Sequence, residues 1–340
     1  MKSVSFCGNI IIDSIKEIPW WPEQGMLAPI SSLRHALGGS VSNTSIDLKT
    51  LDPSVVVKAI GKVGTDGNGD LALAGLQKRG IDVSGVLRVD APTTFTDVMA
   101  VTSSGQRTFF NMHGADSLLT PEDIDPAKLD CDIFHLGYLL LLDGLDAPDD
   151  EYGTKAARLL AKVRAAGIRT SVDIVSEQSE RFARIVRPAL KHCDYLIVNE
   201  IEGARATGLP AVDASGKVTV GTLSAIAAKL FELGVREKVV LHCPDLSVAR
   251  DAAGHVVAVP SLDLPKDWIK GSVGAGDAFC AGMLLAILKD MDLEAGMRLA
   301  SCAAAANLAS ADATGGALPL AGTLALEAKF TRKQIKEQST

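Results

Sequence analysis

The segment Gly271-Ser-Val-Gly-Ala-Gly-Asp277, followed at once by the apolar run AFCAGMLLAILK of residues 278–289, decides the fold. Its three glycines and small neighbours allow the backbone of this turn to approach a ligand closely. The apolar run predicts a buried helix, and its first turn presents unpaired N–H groups at Ala275, Gly276 and Asp277. Geometry and the helix dipole attract an anion to such groups. The segment therefore predicts an anion site at the start of a buried helix.

Asp277 stands at the junction of this turn and the helix. Asp is favoured as a helix N-cap, so a purely structural role is one interpretation of it. A carboxylate beside an anion site also suits phosphoryl transfer to a hydroxyl. The carboxylate takes the hydroxyl proton while the N–H groups hold the transferring oxygens. Spacing alone leaves both interpretations open.

The remaining sequence alternates short apolar strands with helical stretches, a pattern typical of parallel crossovers in a doubly wound α/β sheet. In the first third we expect one buried strand from Val4 to Ile12, closed by Asp13, and a helix opened by Gly38-Gly39. The further strands are expected at 55–60, 83–89, 133–136, 170–174, 195–198 and 238–242. The further helices are expected at 70–79, after a glycine-rich loop at 61–69, and at 151–166, 179–191, 200–207, 221–233, 277–289 and 293–310.

Two segments interrupt this alternation. Residues 14–36 are rich in Pro, Trp and Gly, which favours loops and short edge strands over helix. Residues 93–103 and 107–112 flank a Ser-Gly-Gln turn, the pattern of a β-hairpin. We expect both segments to form a small β-strand lid on the main domain.

The predicted fold class is thus α/β, a doubly wound, mostly parallel sheet with helices on both faces and a small β lid. One domain is expected over residues 1–322, with the lid strands inserted from about 14–36 and 93–113. The polar tail, residues 323–340, is expected to fray.

Composition excludes several classes of function. The 340 residues include 34 Lys and Arg against 41 Asp and Glu, and a net charge of −7 gives no general attraction for nucleic acid or anionic membranes. The six cysteines show no metal-binding spacing and indicate reduced, mostly buried thiols in a cytoplasmic protein. The N-terminal apolar run is too short for a signal peptide, and no segment predicts a membrane helix. A Walker GxxxxGK[ST] motif is absent, and the nearest dinucleotide fingerprint lacks its third glycine.

The turn GSVGAGD closely resembles the signature of the ribokinase-like (PfkB) carbohydrate kinases, which usually reads Asp-Thr-x-Gly-Ala-Gly-Asp. Other motifs follow in family order, so the resemblance extends from residue 8 to about residue 318. They are Gly8-Asn9 with Asp13, the Gly38-Gly39-Ser-Val-Ser-Asn43 helix start, the glycine loop GKVGTDGNG at 61–69, and Asn199-Glu-Ile-Glu202, which is similar to the family's Asn-x-x-Glu.

The resemblance implies an ATP- and Mg²⁺-dependent kinase that phosphorylates a hydroxyl of a sugar or sugar-like substrate. It implies that Asp277 is the general base and that the backbone of Gly274, Ala275 and Gly276 forms the anion hole. It also implies a homodimer formed through the lid strands. The implied substrate contacts are Asp13, Gly38, Gly39 and Asn43, and the implied nucleotide contacts are Asn199, Glu202, His242, Ser272, Asn307 and Gly316.

No residue is assigned as a direct metal ligand. The resemblance implies that Asn199 and Glu202 hold the water network of Mg·ATP from the outer sphere. Arg107, at the start of a lid strand, is predicted to face an acceptor that carries a carboxylate or phosphate. The alternative for this residue is an arginine solvated on a hairpin.

This chain departs from the family pattern mainly on the nucleotide side. Gly271 stands where the family has an aspartate that helps to bind a monovalent cation, which argues against potassium activation. His242-Cys-Pro244 replaces a Thr-x-Gly, Ser247 replaces the next expected glycine, and Asp173-Ile-Val175 replaces Asp-x-Asn. The alternative function is therefore a degenerate kinase fold kept as a sugar-binding or regulatory protein. The intact Asp277 favours the active kinase.

Overall fold

The structure is a computed structural model that describes residues 2–177 and 180–335. Its strands are numbered in chain order. They are β1 (Ser3–Cys7), β2 (Ile11–Ile18), β3 (Ser32–Gly38), β4 (Val56–Gly64), β5 (Asp82–Val89), β6 (Phe95–Val101), β7 (Arg107–Met112), β8 (Ile133–Leu139), β9 (Pro148–Asp149), β10 (Gly153–Thr154), β11 (Arg169–Ile174), β12 (Tyr195–Asn199), β13 (Lys238–His242), β14 (Leu246–Asp251) and β15 (Val256–Pro260).

The α-helices are numbered in the same way. They are α1 (Ser40–Leu51), α2 (Gly67–Lys78), α3 (Asp143–Asp146), α4 (Lys155–Ala165), α5 (Phe182–Leu190), α6 (Glu200–Thr207), α7 (Val220–Glu232), α8 (Ala275–Leu288), α9 (Leu293–Asn307), α10 (Leu320–Leu324) and α11 (Leu326–Lys329). Short 3₁₀ helices at Ala115–Leu118, Pro121–Asp123 and Pro126–Lys128 lie between β7 and β8.

A main sheet of nine strands runs in the order β15-β14-β13-β12-β11-β8-β1-β4-β5. Pairing is parallel from β13 to β5 and antiparallel at the β14 and β15 edge. Its central strands are buried on both faces, which explains why they read as unbroken apolar runs in the sequence. Strand β1 lies inside the sheet, between β8 and β4, and the strand order reverses beside it. The predicted doubly wound α/β fold is confirmed.

Two apolar cores cover the two faces of this sheet. One core contains buried residues of α4, α5, α6 and α7, and the other contains buried residues of α1, α2, α8 and α9. Helix α8 is buried on every side from Asp277 to its end, as expected for a helix whose sequence is apolar all round. The start of α8 is therefore fixed from several directions at once.

A second, four-stranded sheet has the order β3-β2-β6-β7. We call it the lid sheet. The hairpin predicted at 93–112 is confirmed as the antiparallel pair β6 and β7. The predicted single strand from Val4 to Ile12 is wrong, because the chain breaks after Cys7 and enters the lid sheet as β2 at Ile11. An apolar run cannot by itself show that its two halves belong to different sheets.

Two other predicted boundaries also differ from the structure. Residues 61–69 do not form a loop, because β4 continues to Gly64 and α2 begins at Gly67. The Asp66 side chain caps α2 by accepting a hydrogen bond from the Gly69 N–H. The helix predicted at 179–191 has its first position, residue 179, outside the described residues. The structure assigns the helix there, α5, from Phe182.

The predicted fraying after residue 322 is wrong for the described part of the tail. Leu326 is buried against α9, and Arg332 donates to the carbonyl of Pro260 at 2.6 Å. Residues 336–340 lie outside the described residues, and the domain boundary at 322 stays a prediction. Within residues 2–177 and 180–335, no helix has the length and apolar character needed to cross a membrane.

The contact between α8 and α9 depends on Gly282. A Cβ at this position would lie 2.6 Å from the Ala300 Cα, closer than real Cβ contacts. We expect Gly282→Ala to lower the free energy of unfolding by about 1–3 kcal/mol, because the two helices must move apart. Urea unfolding measures this change.

The matched control is Gly221→Ala in α7, where an added Cβ meets nothing closer than 3.6 Å. This substitution should stabilise the protein by about 0.5–1 kcal/mol, the usual gain from replacing glycine within a helix. Equal effects of the two substitutions would contradict the assignment of Gly282 to a tight helix contact.

Candidate active site

Polar side chains collect at the carboxyl edge of the main sheet, beside the point where the strand order reverses. Tyr138 lies near the end of β8, Asn199 at the end of β12 and His242 at the end of β13. Asp13 follows β1 on the first lid strand, and α8 starts among these residues. Open α/β sheets bind ligands at this edge, near such a reversal.

The turn before α8 has the backbone geometry expected of the predicted anion site. Gly274 is the N-cap of α8 and has φ of 79°, and a Cβ there would lie 2.2 Å from the Ala313 carbonyl oxygen. Only glycine satisfies both conditions. The Ala275 N–H donates to the Ser272 carbonyl at 3.3 Å. Among the described residues, the N–H groups of Gly276 and Asp277 have no backbone partner, so these two are the free donors.

The Asp277 side chain does not cap the helix, because the N-cap is Gly274 and no side-chain cap bond is present. Its carboxylate is buried and accepts hydrogen bonds from three side chains. Asn43 Nδ2 donates at 3.0 Å and Thr44 Oγ1 at 3.3 Å, both from α1. The Tyr138 hydroxyl lies 3.0 and 2.9 Å from the two carboxylate oxygens.

Burial raises the pKa of Asp277 to about 6, and the hydrogen bonds from Asn43, Tyr138 and Thr44 oppose the rise. A carboxylate with this pKa is mostly ionised at neutral pH. It is also a stronger proton acceptor than an exposed aspartate. The pKa therefore suits general-base chemistry near neutral pH.

Asp13 lies on β2 of the lid sheet, where it is opposite Ala36 of β3 and Thr96 of β6. Burial raises its pKa to about 6, and a hydrogen bond from Thr96 opposes the rise. Thr96 in turn accepts a hydrogen bond from Asn111 Nδ2 at 3.0 Å. A side chain on Gly38 would begin 2.5 Å from an Asp13 carboxylate oxygen, so glycine leaves room for this carboxylate.

Two lid arginines contact the loop of residues 309–316, which we call the support loop. Arg34 pairs with Asp312, and Arg107 donates to the Ala311 carbonyl at 3.2 Å. The Ala313 carbonyl of the same loop packs against Gly274. Both edges of the lid sheet are thus connected to the loop that supports the anion site.

A cavity of about 530 Å³ opens on the other side of the anion site. His242, Ser272 and Gly276 line one end, near the free N–H groups. Its remaining wall is largely apolar and is formed in part by Leu262, Leu264, Ile269, Ala304, Ala305 and Leu308. An apolar slot that ends at a helix N-terminus suits a nucleotide whose base is buried and whose phosphates reach the helix.

His242 has its imidazole in this cavity. The ring packs on Phe279 with 4.6 Å between centroids, and its Cε1 lies 3.6 Å from where a Cβ on Gly276 would be. Burial lowers the pKa of His242 to about 4, so the ring is neutral at pH 7. A neutral imidazole can donate one hydrogen bond to a phosphate oxygen.

Asn199 and Glu202 form the start of α6. Asn199 is the N-cap, with its side-chain oxygen accepting from the Glu202 N–H at 2.9 Å, and its Nδ2 donates to Glu202 Oε1 at 2.7 Å. Asn199 lines the cavity, whereas Glu202 is buried behind it. The structure therefore gives Asn199 a capping role in addition to its place at the cavity.

The carboxylates near this point suit a divalent cation. Burial and the repulsion of Glu202 and Asp277 raise the pKa of Asp173, and burial raises the pKa of Glu202, with repulsion from Glu200 and Asp277. A cation would relieve this repulsion, and oxygen ligands are those that Mg²⁺ prefers. In the part of the chain that the structure describes, no three His, Cys, Asp or Glu residues are arranged to hold a metal ion directly. The donor set thus fits an ion held through water and phosphate.

Two predicted nucleotide contacts lie away from the cavity. Asn307 is buried and donates to the Val273 carbonyl at 3.1 Å, which fixes the turn before α8. Gly316 packs against the end of α9, where a Cβ would lie 2.3 Å from the Ala306 carbonyl. Neither residue is among those that line the cavity, because both belong to the layer that supports the anion site.

Sequence reasoning missed three residues of the site. Thr44 and Tyr138 donate to Asp277, and Lys333 lines the cavity from the C-terminal segment. Thr44 follows Asn43 directly, so its position gave a signal. Tyr138 and Lys333 had none, since each meets its partners only through the tertiary fold.

The pfkB family carbohydrate kinase model matches residues 1–319. The chain belongs to the pfkB family of carbohydrate kinases. An ATP-dependent ribose-1-phosphate kinase of Halopiger xanaduensis is 28% identical over 90% of this chain and 91% of that protein. A deoxyribokinase of Salmonella typhi is 24% identical, over 87% of this chain and 89% of that protein. The pfkB resemblance inferred from the motifs is confirmed.

Solved structures of pfkB-like kinases share the fold. Ribokinase of Thermotoga maritima superposes with a TM-score of 0.78, covers 96% of this chain and all of that chain, and is 19% identical. Arabidopsis thaliana ribokinase, solved with ribose and ATP, has a TM-score of 0.77 at 21% identity, over 96% of this chain and 99% of that chain. The pfkB chain described here is thus a sugar-kinase-family phosphotransferase with the ribokinase fold.

Asp47, one turn after Asn43 in α1, is a further buried acid of this region. It is 1% exposed, and neither carboxylate oxygen has a hydrogen-bond partner. Burial raises its pKa well above the usual range, as does the nearby Asp277, while Arg79 opposes the rise. A raised folded-state pKa favours folding at low pH, and this contribution is lost as the pH rises from about 4 toward that folded-state value.

We therefore expect Asp47→Asn to leave stability at pH 4 little changed and to stabilise the protein at pH 8. The gain at pH 8 should be about 1–3 kcal/mol, the usual range for a buried polar group without a partner. Thermal unfolding at the two pH values measures it, with Asp290→Asn, an exposed site, as control. A gain that does not grow with pH would contradict the assignment.

Proposed function

We propose that the protein is an ATP-dependent kinase that transfers the γ-phosphoryl group to a hydroxyl of a sugar or sugar-like acceptor. One observation carries this proposal. The buried Asp277 carboxylate lies in the first turn of α8, beside the free N–H groups of Gly276 and Asp277. The nucleotide-sized cavity reaches Gly276, next to Asp277, and Asp13 lies against Gly38, just before the helix α1 that provides Asn43 and Thr44.

The acceptor binds beneath the lid sheet, where the Asp13 carboxylate accepts hydrogen bonds from two neighbouring hydroxyls. A third acceptor hydroxyl approaches Asp277. As its oxygen bonds to the γ-phosphorus, the bond from that phosphorus to the β-phosphate oxygen breaks, and the hydroxyl proton moves to Asp277. The free N–H groups at the start of α8 stabilise the charge on the transferring oxygens. The products are ADP and the phosphorylated acceptor, and Asp277 then releases its proton to solvent.

ATP occupies the cavity with its base in the apolar slot and its phosphates toward Ser272, His242 and Gly276. Asn199 and Glu202 would hold the water shell of Mg²⁺, which when bound would neutralise phosphate charge. The neutral His242 ring donates to a phosphate oxygen in place of the threonine of relatives. Lys333 closes the far wall and is paired with Asp245 at 2.7 Å.

The acceptor class remains broad in this proposal. The named relatives act, by their names, on ribose 1-phosphate, deoxyribose and ribose. Arg34 and Arg107 contact the support loop, and an acceptor with a phosphate or carboxylate would compete with Asp312 for Arg34 and with the Ala311 carbonyl for Arg107. A coupled ADP-release assay over a panel of free sugars, sugar phosphates, sugar acids and nucleosides tests the function. No ADP release with any of them would favour the degenerate, sugar-binding alternative.

We also propose a homodimer formed through the lid sheet. Trp20, Trp21, Leu33, Phe109 and Phe110 are all exposed on the lid segments. The rings of Trp21 and Phe110 stack with 6.4 Å between centroids, which makes a flat apolar patch. Exposed patches of this kind usually mark interaction surfaces.

The expected cytoplasmic location agrees with six cysteines that form no disulfide.

Replacing the proposed base tests the mechanism directly. We expect Asp277→Asn to lower kcat by about 100-fold or more with little change in acceptor affinity, because the carboxylate matters mainly as the proton leaves. Steady-state kinetics on the best acceptor of the panel, with Asp290→Asn as control, give the comparison. A variant with wild-type kcat would reduce Asp277 to a structural residue.

Potassium should have little effect on the rate. Gly271 offers no side-chain oxygen, and a Cβ there would lie 3.1 Å from both the Ser310 carbonyl oxygen and the Ala311 Cα. We expect kcat to change less than about threefold when tetramethylammonium replaces potassium at equal ionic strength, since a well-placed charge contributes far more. Stimulation by potassium of about tenfold or more would mean that other oxygens form the cation site.

A further inference from the structure

Tyr138 has an unusual backbone conformation directly beside the proposed base. Its φ is 57°, in the left-handed region that non-glycine residues rarely adopt, and Leu140 two residues later has φ of 82°. Such conformations are unfavourable and persist only where the surroundings impose them. The surroundings here do impose them.

Several contacts fix this turn. The Asp146 carboxylate accepts from the N–H of Leu140 at 3.2 Å and of Leu142 at 3.1 Å. Asn9 Nδ2 donates to the Leu141 carbonyl at 2.9 Å. The strained turn is thus tied to α3 and to the segment between β1 and β2, and its result is to aim the Tyr138 hydroxyl at Asp277.

The Tyr138 hydroxyl covers the part of the Asp277 carboxylate that the helix α1 leaves open. A carboxylate offers about four lone-pair sites. Thr44 takes one on Oδ1 and Asn43 takes one on Oδ2, while the single Tyr138 hydroxyl lies within 3.0 Å of both oxygens. An incoming acceptor hydroxyl must therefore displace the Tyr138 hydroxyl to reach a site that Thr44 and Asn43 do not use.

Tyr138 is the donor best placed to leave. Asn43 and Thr44 are 4% and 0% exposed on the buried helix α1, whereas Tyr138 is only partly buried at the end of its strand. One phenol hydroxyl is shared between two carboxylate oxygens, so neither bond has full strength. A phenol and a sugar hydroxyl are also the same kind of donor.

We propose that Tyr138 is a place-holder, whose hydroxyl occupies at Asp277 the position that the acceptor hydroxyl takes during transfer and withdraws when the acceptor binds. This inference rests on the proposed kinase function. Without acceptor, an open position on the base would admit water, and the base would then direct that water at ATP. The place-holder prevents this loss, since a kinase must keep water from its base until the acceptor is bound.

Tyr138 does not itself exchange a proton in this scheme. Burial and the nearby carboxylates of Asp277 and Asp173 raise the pKa of its phenol well above the usual range. The other ionisable groups whose charges interact with Asp277 are Asp47, Asp173, Glu202 and Cys280. A substitution at Tyr138 leaves all four of these side chains in place.

The first test is ATP hydrolysis without any acceptor, measured by ADP release in wild type and Tyr138→Phe. Removing the hydroxyl frees an acceptor site on Asp277 for water, so hydrolysis should rise at least about threefold. Tyr152→Phe, a half-buried tyrosine whose ring packs on His192 away from Asp277, is the matched control and should not change it. An unchanged hydrolysis rate in Tyr138→Phe would overturn the place-holder role.

The second test is the pH profile with the best sugar of the panel. The profile of kcat/KM reports the free enzyme, and that of kcat reports the enzyme with acceptor bound. Loss of the Tyr138 hydrogen bond should shift the acidic limb of kcat/KM to higher pH, because that bond stabilises the ionised carboxylate. The acidic limb of kcat should not move, since Tyr138 has already withdrawn. A permanent supporting bond would shift both limbs and would overturn the proposal.

A third measurement separates this inference from the proposed function. The chain has three tyrosines, so a ¹³C label at the ζ carbon gives a simple spectrum. Between pH 5 and 8 the Tyr138 signal should follow the ionisation of Asp277, and Asp277→Asn should abolish the change. A protein that shows this change and the raised hydrolysis but phosphorylates no sugar would overturn the kinase proposal alone. A sugar kinase without them would overturn the place-holder alone.

Discussion

The burial of the Asp277 carboxylate is the constraint on which the rest of the site depends. Helix α8 is apolar on all sides and must lie inside the protein. Asp277 is buried because it belongs to the first turn of this helix. A buried carboxylate requires hydrogen-bond donors, and these come from α1 and β8. The same burial gives the group a pKa near 6. Packing of the core and reactivity of the base thus have one cause.

The support loop extends this constraint to the lid sheet. Its Ala313 carbonyl packs against Gly274, while Arg34 and Arg107 reach it from opposite edges of the lid. An exposed ion pair such as Arg34 with Asp312 contributes only about 0–1 kcal/mol. This ion pair therefore holds the lid sheet to the support loop only weakly. The lid sheet and the turn before α8 nevertheless contact the same segment of chain.

The sequence predicted the parts of this arrangement that are local. Spacing and composition predicted the glycine turn, the buried helix and the parallel sheet, because each depends on neighbours within a few residues. It could not predict the contact between Tyr138 and Asp277, which are 139 positions apart, or the φ of Tyr138. Nor could an unbroken apolar run show that residues after Cys7 leave the main sheet for the lid. These features depend on which strands become neighbours.

The balance of charged side chains around the cavity limits how the proposed site can bind ATP. Asp173, Glu202 and Asp277 are buried carboxylates whose charges interact at the phosphate end of the cavity. Among the residues that line this cavity in the described chain, Lys333 is the cationic one, and Asp245 already pairs with it. In the proposed kinase, side chains would therefore give a nucleotide triphosphate little attraction to this site. A divalent cation bound with the nucleotide would offset the negative charge, and the N–H groups of α8 would hold the phosphoryl oxygens that the cation leaves free.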